Sequence, residues 1–204
     1  MLEVKDLSFA FKNRPLFQNI SFETRAGQIT RIEGPNGAGK STLIALVTGL
    51  LTGGRGNINF LGASDYRTWT SWIAPDANGI FPSLPAIENL QFWLQIRGRT
   101  TSHDQLRECL TFWGIKGEWL QNALPTAKFS TGMKRRLALA RLQLESTKLW
   151  ILDEPLFGLD DAACNQFKTM LSRHTTSGGA AIIVTHDARL FDGLKYQSVT
   201  VGGL

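Results

Sequence analysis

Cysteine is nearly absent: two occur in 204 residues, Cys109 and Cys164, and neither stands at metal or redox spacing from the other or from the three histidines. That argues against a disulfide framework and a zinc or dithiol centre, and leaves free, buried thiols in a reducing compartment as the expectation. No Cys-x-x-Cys-His run is present, and Met133 and Met170 read as core or surface residues, not axial ligands, so no direct haem site is expected. No apolar run approaches the roughly 18 residues that suggest a membrane span. A charged-then-apolar leader is missing too, so the chain is expected to be soluble by itself and not marked for secretion. Repeats, low-complexity tracts and flexible linkers are also lacking. At 204 residues the chain suits one α/β core with a modest insertion and is too short for two ordinary domains.

Acid is in modest deficit, 17 Asp and Glu against 22 Lys and Arg, for a net charge of +5. This permits an anionic partner such as a nucleotide, a nucleic acid or an anionic membrane face. The basic residues are scattered, however, and the densest group, Lys134-Arg135-Arg136, reads as solvated surface.

What is present is organised around Gly34-Pro35-Asn36-Gly37-Ala38-Gly39-Lys40-Ser41, which satisfies the phosphate-loop pattern GxxxxGK[ST] at every fixed position. It lies between an apolar-alternating run, 28–33, and a helix-like run, 42–50, the strand–loop–helix setting the pattern requires. Glycines let successive N–H groups turn toward a phosphate, and the following helix points its positive end, Thr42 included, at the same anion. Lys40 supplies charge to the β- and γ-phosphates of a nucleotide, and the Ser41 hydroxyl is placed to ligate Mg²⁺. The bland alternative is a glycine-rich turn opening a helix.

Around this loop, Leu2, Val4, Leu7, Phe9 and Phe11 alternate with mostly polar residues, and 16–24 continues in extended style, which predicts antiparallel strands near the N-terminus. Residues 57–61 read as a short strand back to the same sheet and 72–74 as another strand. From 82 to 145 the period turns helical, an inserted subdomain. Residues 149–152 and 180–184 are apolar runs of buried strands, with a helix over 162–173 between them. The alternation predicts a mostly parallel, doubly wound α/β sheet. The expected division is one domain, with 1–81 and 146–204 as nucleotide-binding core and 82–145 as helical subdomain.

The second chemical signal is Leu149-Trp150-Ile151-Leu152-Asp153-Glu154, an apolar strand ending in adjacent carboxylates whose side chains point in different directions. Asp153 suits the Mg²⁺ shell, and Glu154 suits orienting and deprotonating an attacking water. With these residues and three further segments the chain resembles the ABC (ATP-binding cassette) ATPases over nearly its whole length. Phe129-Ser130-Thr131-Gly132-Met133 occupies the place of the family signature, Gly158-Leu159-Asp160 is similar to the D-loop, and Ile183-Val184-Thr185-His186-Asp187 to the switch-histidine strand.

The resemblance implies a P-loop ATPase fold, ATP and Mg²⁺ as ligands, and a head-to-tail dimer of two copies in which Ser130 and Gly132 of one grip the ATP of the other. Ser130 is also a good N-cap for a helix over 133–144, so a plain capped helix is the competing account. His186 would contact the γ-phosphate, and Phe11 stands where the family stacks an aromatic on adenine, although Phe9 and Phe11 share one strand face and a core role stays open. Departures are Thr131 for Gly, Met133 for Gln, and a missing Q-loop glutamine. Residues 74–78 read Ala-Pro-Asp-Ala-Asn, where Asp76 is the oxygen donor available as a replacement metal ligand.

The stretches 86–92, 137–142 and 149–155 further resemble haem-exporter ATPases of cytochrome c maturation. This implies integral membrane subunits of such a complex as partners and a peripheral place on the cytoplasmic face of the inner membrane, or the matrix face in mitochondria. Haem would belong to the partners. The hydrophobic Ile80-Phe81-Pro82 segment sits where the family docks a membrane coupling helix, and the chain stops soon after His186, so no regulatory domain is expected. Other readings are an ABC transporter ATPase for a different substrate, a soluble nucleic-acid-associated ABC ATPase, or a binding-only cassette. Nucleic acid is not the expected partner, since arm domains are missing.

Overall fold

The computed structural model describes residues 1–12, 14–61, 65–75 and 79–202. Strand β1 (Leu2–Phe11) buries Leu2, Val4 and Leu7 and turns Lys5 outward, the half-buried alternation of a one-faced sheet. It pairs antiparallel with β2 (Arg14–Thr24) on one side and, across a longer connection, with β4 (Arg55–Phe60) on the other. Two irregularities in β1/β2 pairing fall at Asp6 and Asn19, both at positive φ. Each is pinned by a hydroxyl: Ser21 Oγ accepts from Asp6 N at 2.8 Å, and Ser8 Oγ from Asn19 N at 2.9 Å.

The second sheet has the order β5-β6-β7-β3-β8, formed by Thr70–Ile73, Leu149–Asp153, Ala180–Val184, Ile29–Glu33 and Gln197–Thr200. The pairs β6/β7, β7/β3 and β3/β8 are parallel. Every residue of β6 and β7 is buried, as expected of central strands covered on both faces. Strand β8 is a finding beyond the sequence reading: Gln-Ser-Val-Thr is too short and too polar to stand out, yet its pairing with β3 makes it an edge of this sheet.

The chain divides into two compact units, Met1–Trp72 with Lys148–Glu154 and Leu171–Leu204, and Ile73–Thr147 with Pro155–Met170. The second unit therefore starts before 82 and takes in 155–170 as well. The first has its core in Leu2, Val4, Phe17, Ile32, Leu43, Ile44, Ile151, Ile182 and Val201, with helix α1 (Lys40–Val47) contributing its buried face. The second is built on α2 (Ala86–Ile96), α3 (His103–Phe112), the single turn α4 (Glu118–Gln121) and α5 (Thr131–Glu145), while α6 spans Asp161–Thr176. Helix α3 opens on a full capping box, Ser102 with Gln105. Asn89, buried, accepts from Phe81 N and donates to the carbonyls of Phe81, Leu84 and Pro85, holding the turn before α2 in shape. Cys109 is buried and its thiol is pushed up to about 12 by that burial, so it is chemically quiet.

His174 lies flat on Trp150, rings 3.6 Å apart and 4° from parallel, with Nε2 at 3.2 Å from Ala180 O. Burial lowers its pKa below the ordinary 6.5, a shift that its backbone hydrogen bonds partly offset. The unfolded chain therefore binds this proton first on acidification, and stability present above 6.5 is lost as pH falls from there toward the folded value. Thermal denaturation should show the melting temperature dropping below pH 6.5 in the native protein, with a shallower drop in His174→Gln.

Candidate active site

Parallel pairing brings three chain segments out together at the carboxyl ends of the central strands of the five-stranded sheet. Ile32 of β3 is level with Val184 of β7, which is level with Asp153 of β6, so the loops following all three strands leave the sheet together. The first is the phosphate loop. Gly34 begins it at φ 147°, and a Cβ there would lie 2.1 Å from Val201 O, so the close passage of the chain just after β8 dictates glycine at this point. Ala38 N closes a turn onto Pro35 O at 3.2 Å, and Gly39 precedes α1 in a left-handed conformation with no side-chain cap. The helix start thus carries no competing side-chain acceptor over Lys40, Ser41 and Thr42. Lys40 folds back and donates from Nζ to Gly34 O (2.8 Å) and Pro35 O (2.9 Å). An uncapped positive helix end with an ammonium parked on its own loop fits a polyphosphate. Pro35, Asn36 and Gly37 are exposed at the turn.

The second segment holds the carboxylates. Asp153 is 3% exposed, whereas Glu154 is half-exposed and adopts φ 48°, an uncommon conformation for a non-glycine residue. Its N–H donates to Val184 O at 2.8 Å. The third segment meets it: Thr185 Oγ1 donates to Glu154 Oε2 at 2.9 Å, His186 N donates to Oε1 at 3.1 Å, and His186 Nε2 stands 3.8 Å from the same oxygen with its ring largely exposed. Among the described residues no group of three or more His, Cys, Asp or Glu converges on a metal-sized site. Ser41 and Asp153 carry oxygen donors of the kind that suits a hard cation such as Mg²⁺. Asp76 lies outside the described residues. Phe11, at the β1/β2 hairpin, is 65% exposed with Lys12 Nζ 5.9 Å from its ring centre, so its face is not spent on the core; Phe9 instead packs toward Phe17.

The second unit carries 129–133, the segment expected to serve as the signature. Ser130 caps α5, its Oγ accepting from Met133 N at 3.2 Å. Thr131 is exposed, while a Cβ on Gly132 would lie 2.4 Å from Gly158 O. Asp160 caps the start of α6 through Ala163 N (2.9 Å) and accepts from Arg136 Nη2 at 2.6 Å, with Arg136 Nη1 donating to Trp113 O. The run 134–136 is thus not the solvated face its composition suggested. Arg135 is buried and donates to Ala74 O at 3.1 Å and Pro75 O at 2.5 Å, and Arg141 is buried with its guanidinium 4.5 Å from the Trp93 ring centre. Trp93 Nε1 donates to Gly79 O. A guanidinium's fork of donors suits backbone carbonyls that have left a strand, but nothing in a basic triplet announces which arginine faces inward.

A family profile described as ABC transporter matches residues 17–157, most of the chain, a range that holds the phosphate loop, Asp153, Glu154 and the Ser130 segment and leaves Phe11, Asp160 and His186 outside it. This chain belongs to the ABC transporter family. Such an ATPase domain implies binding of ATP and its hydrolysis coupled to transport. The chain is similar to the cytochrome c biogenesis ATP-binding export protein CcmA of Vibrio vulnificus, 35% identical over 207 residues that span 99% of this chain and 100% of that protein. It is also similar to CcmA 2 of Cupriavidus metallidurans, 32% identical over 209 residues, 100% of this chain and 97% of the relative. A solved structure described as the ATP binding subunit of an ABC transporter superposes with a TM-score of 0.82 at 26% identity, covering 98% of this chain and 85% of that one. Among the described residues no helix is long and apolar enough to cross a membrane.

Proposed function

We propose that this ABC ATPase is the motor of a cytochrome c maturation system, where its hydrolysis of ATP drives haem export or release of a haem chaperone through integral membrane subunits. The observation that carries the reading is similarity to CcmA proteins over 99–100% of this chain and 97–100% of the relatives. Mg²⁺ would be held by Ser41 and Asp153, and it would supply neutralisation of phosphate charge. The chain's own groups do the rest. Lys40 and the start of α1 bind the phosphates, Phe11 stacks on the base, Glu154 orients the water and takes its proton, and His186 stabilises charge on the γ-phosphate. Ser130 and Gly132 contact the ATP of a second copy, giving a head-to-tail dimer, with Asp160 near that junction. The assembly lies at the cytoplasmic face of the inner membrane, or the matrix face in mitochondria.

Purification of the tagged protein from its native cells in mild detergent, followed by mass spectrometry, tests this. Small multi-span membrane proteins of a cytochrome c maturation complex are the expected company. An unrelated permease would keep the motor and change the cargo, and ribosomal or DNA-bound partners would overturn the transport role.

A further inference from the structure

We infer that Thr185 is a positioning residue for hydrolysis, holding the Glu154 carboxylate in the attitude from which it orients the attacking water. The inference rests on the reading of Glu154 as the base. Three bonds from consecutive residues hold Glu154: Val184 O takes its N–H, Thr185 Oγ1 donates to Oε2, and His186 N donates to Oε1. They hold a glutamate whose backbone is in the left-handed conformation that non-glycine residues rarely adopt.

Two of the three are backbone bonds that almost any side chain at 184 or 186 would leave in place. The third belongs to a side chain and has a determined direction. Asp187 N donates to Thr185 Oγ1 at 3.1 Å, so the hydroxyl receives one proton and has its own left to give, and the carboxylate is where it goes. Thr185 is buried, and its β-branched side chain has few rotamers, so the hydroxyl is fixed by packing as well. With two of about four lone-pair sites taken, the carboxylate keeps acceptor capacity for a water. The His186 ring, 3.8 Å from Oε1, is beyond hydrogen-bond distance and does not share the task in this geometry.

Thr185→Val keeps the shape and removes the hydroxyl, and it should lower kcat for ATP by about ten- to a hundredfold, the scale set by small misplacements of reacting groups. KM for ATP should stay where it was, and Thr185→Ser should restore most of the rate. In a Glu154→Gln background, measured by single-turnover phosphate release, adding Thr185→Val should change nothing further, because the residue acts through the carboxylate. An unchanged kcat in Thr185→Val, a serine variant no better than valine, or an equal loss in the Glu154→Gln background would overturn the inference. If Glu154→Gln itself turns over normally, the base assignment falls first and takes this inference with it. If it is inactive while Thr185→Val is normal, the inference alone falls.

Discussion

Glu154→Gln is expected to cut steady-state ATP turnover by about two to four orders of magnitude while leaving ATP binding in place, the range a positioned general base contributes. Glutamine has the shape of glutamate and an oxygen that still accepts from Thr185 or His186 N, so the turn at the end of β6 need not rearrange. What disappears is the ability to accept a proton from water. Since Glu154 follows β6, which β7 separates from the β3 strand that feeds the phosphate loop, and its hydrogen bonds run to Val184, Thr185 and His186, affinity for ATP should be nearly untouched, a loss in kcat without a matching rise in KM. Phosphate release gives the rate and titration calorimetry the affinity. Turnover within a few-fold of native would remove Glu154 from the catalytic role.

Lys40→Ala acts at the same end of the sheet and should weaken ATP binding by about a hundredfold or more. A hydrogen bond to a charged group is worth about 1.5–3 kcal/mol, and an ammonium facing two phosphates makes more than one. The substitution also removes both donations that close the loop on itself, to Gly34 O and Pro35 O. These end near the point where the backbone passes Val201, so circular dichroism and melting should accompany calorimetry to separate lost charge from a loosened loop. Retained affinity in a folded variant would contradict the phosphate-loop role.

Much of this was legible in the chain because its strongest features are local. A strand of uninterrupted apolar residues has few other places to go than the middle of a parallel sheet, and β7 occupies the expected residues 180–184 while β6 adds Asp153 to 149–152. The phosphate loop and the Ser130 cap are likewise patterns confined to a few residues whose geometry follows from their types.

What escaped depends on distant partners. Asn89 sits in a helix-forming stretch, and its value lies in the carbonyls that the preceding turn presents to it. Thr185 reads as the end of a strand, and its role exists only because residue 154 comes back to it. Arg135 and Arg136 are neighbours with the same charge, yet one is buried against the carbonyls following β5 and the other reaches Asp160. A helix puts successive side chains about 100° apart, so adjacent residues face different company, and composition averages over that difference.

The packing of Gly132 on the carbonyl of Gly158 bears on how this signature tolerates change. The exposed Thr131 can be exchanged by drift at little steric expense, while its neighbour is constrained from behind by a backbone that any side chain would strike. Residues 158 and 132 therefore share one tolerance: a backbone change that moved the 158 carbonyl would displace the start of α5 without altering a single signature residue. Survival of the motif letters is thus no guarantee of its shape, because the shape at Gly132 is set in part by the backbone at Gly158.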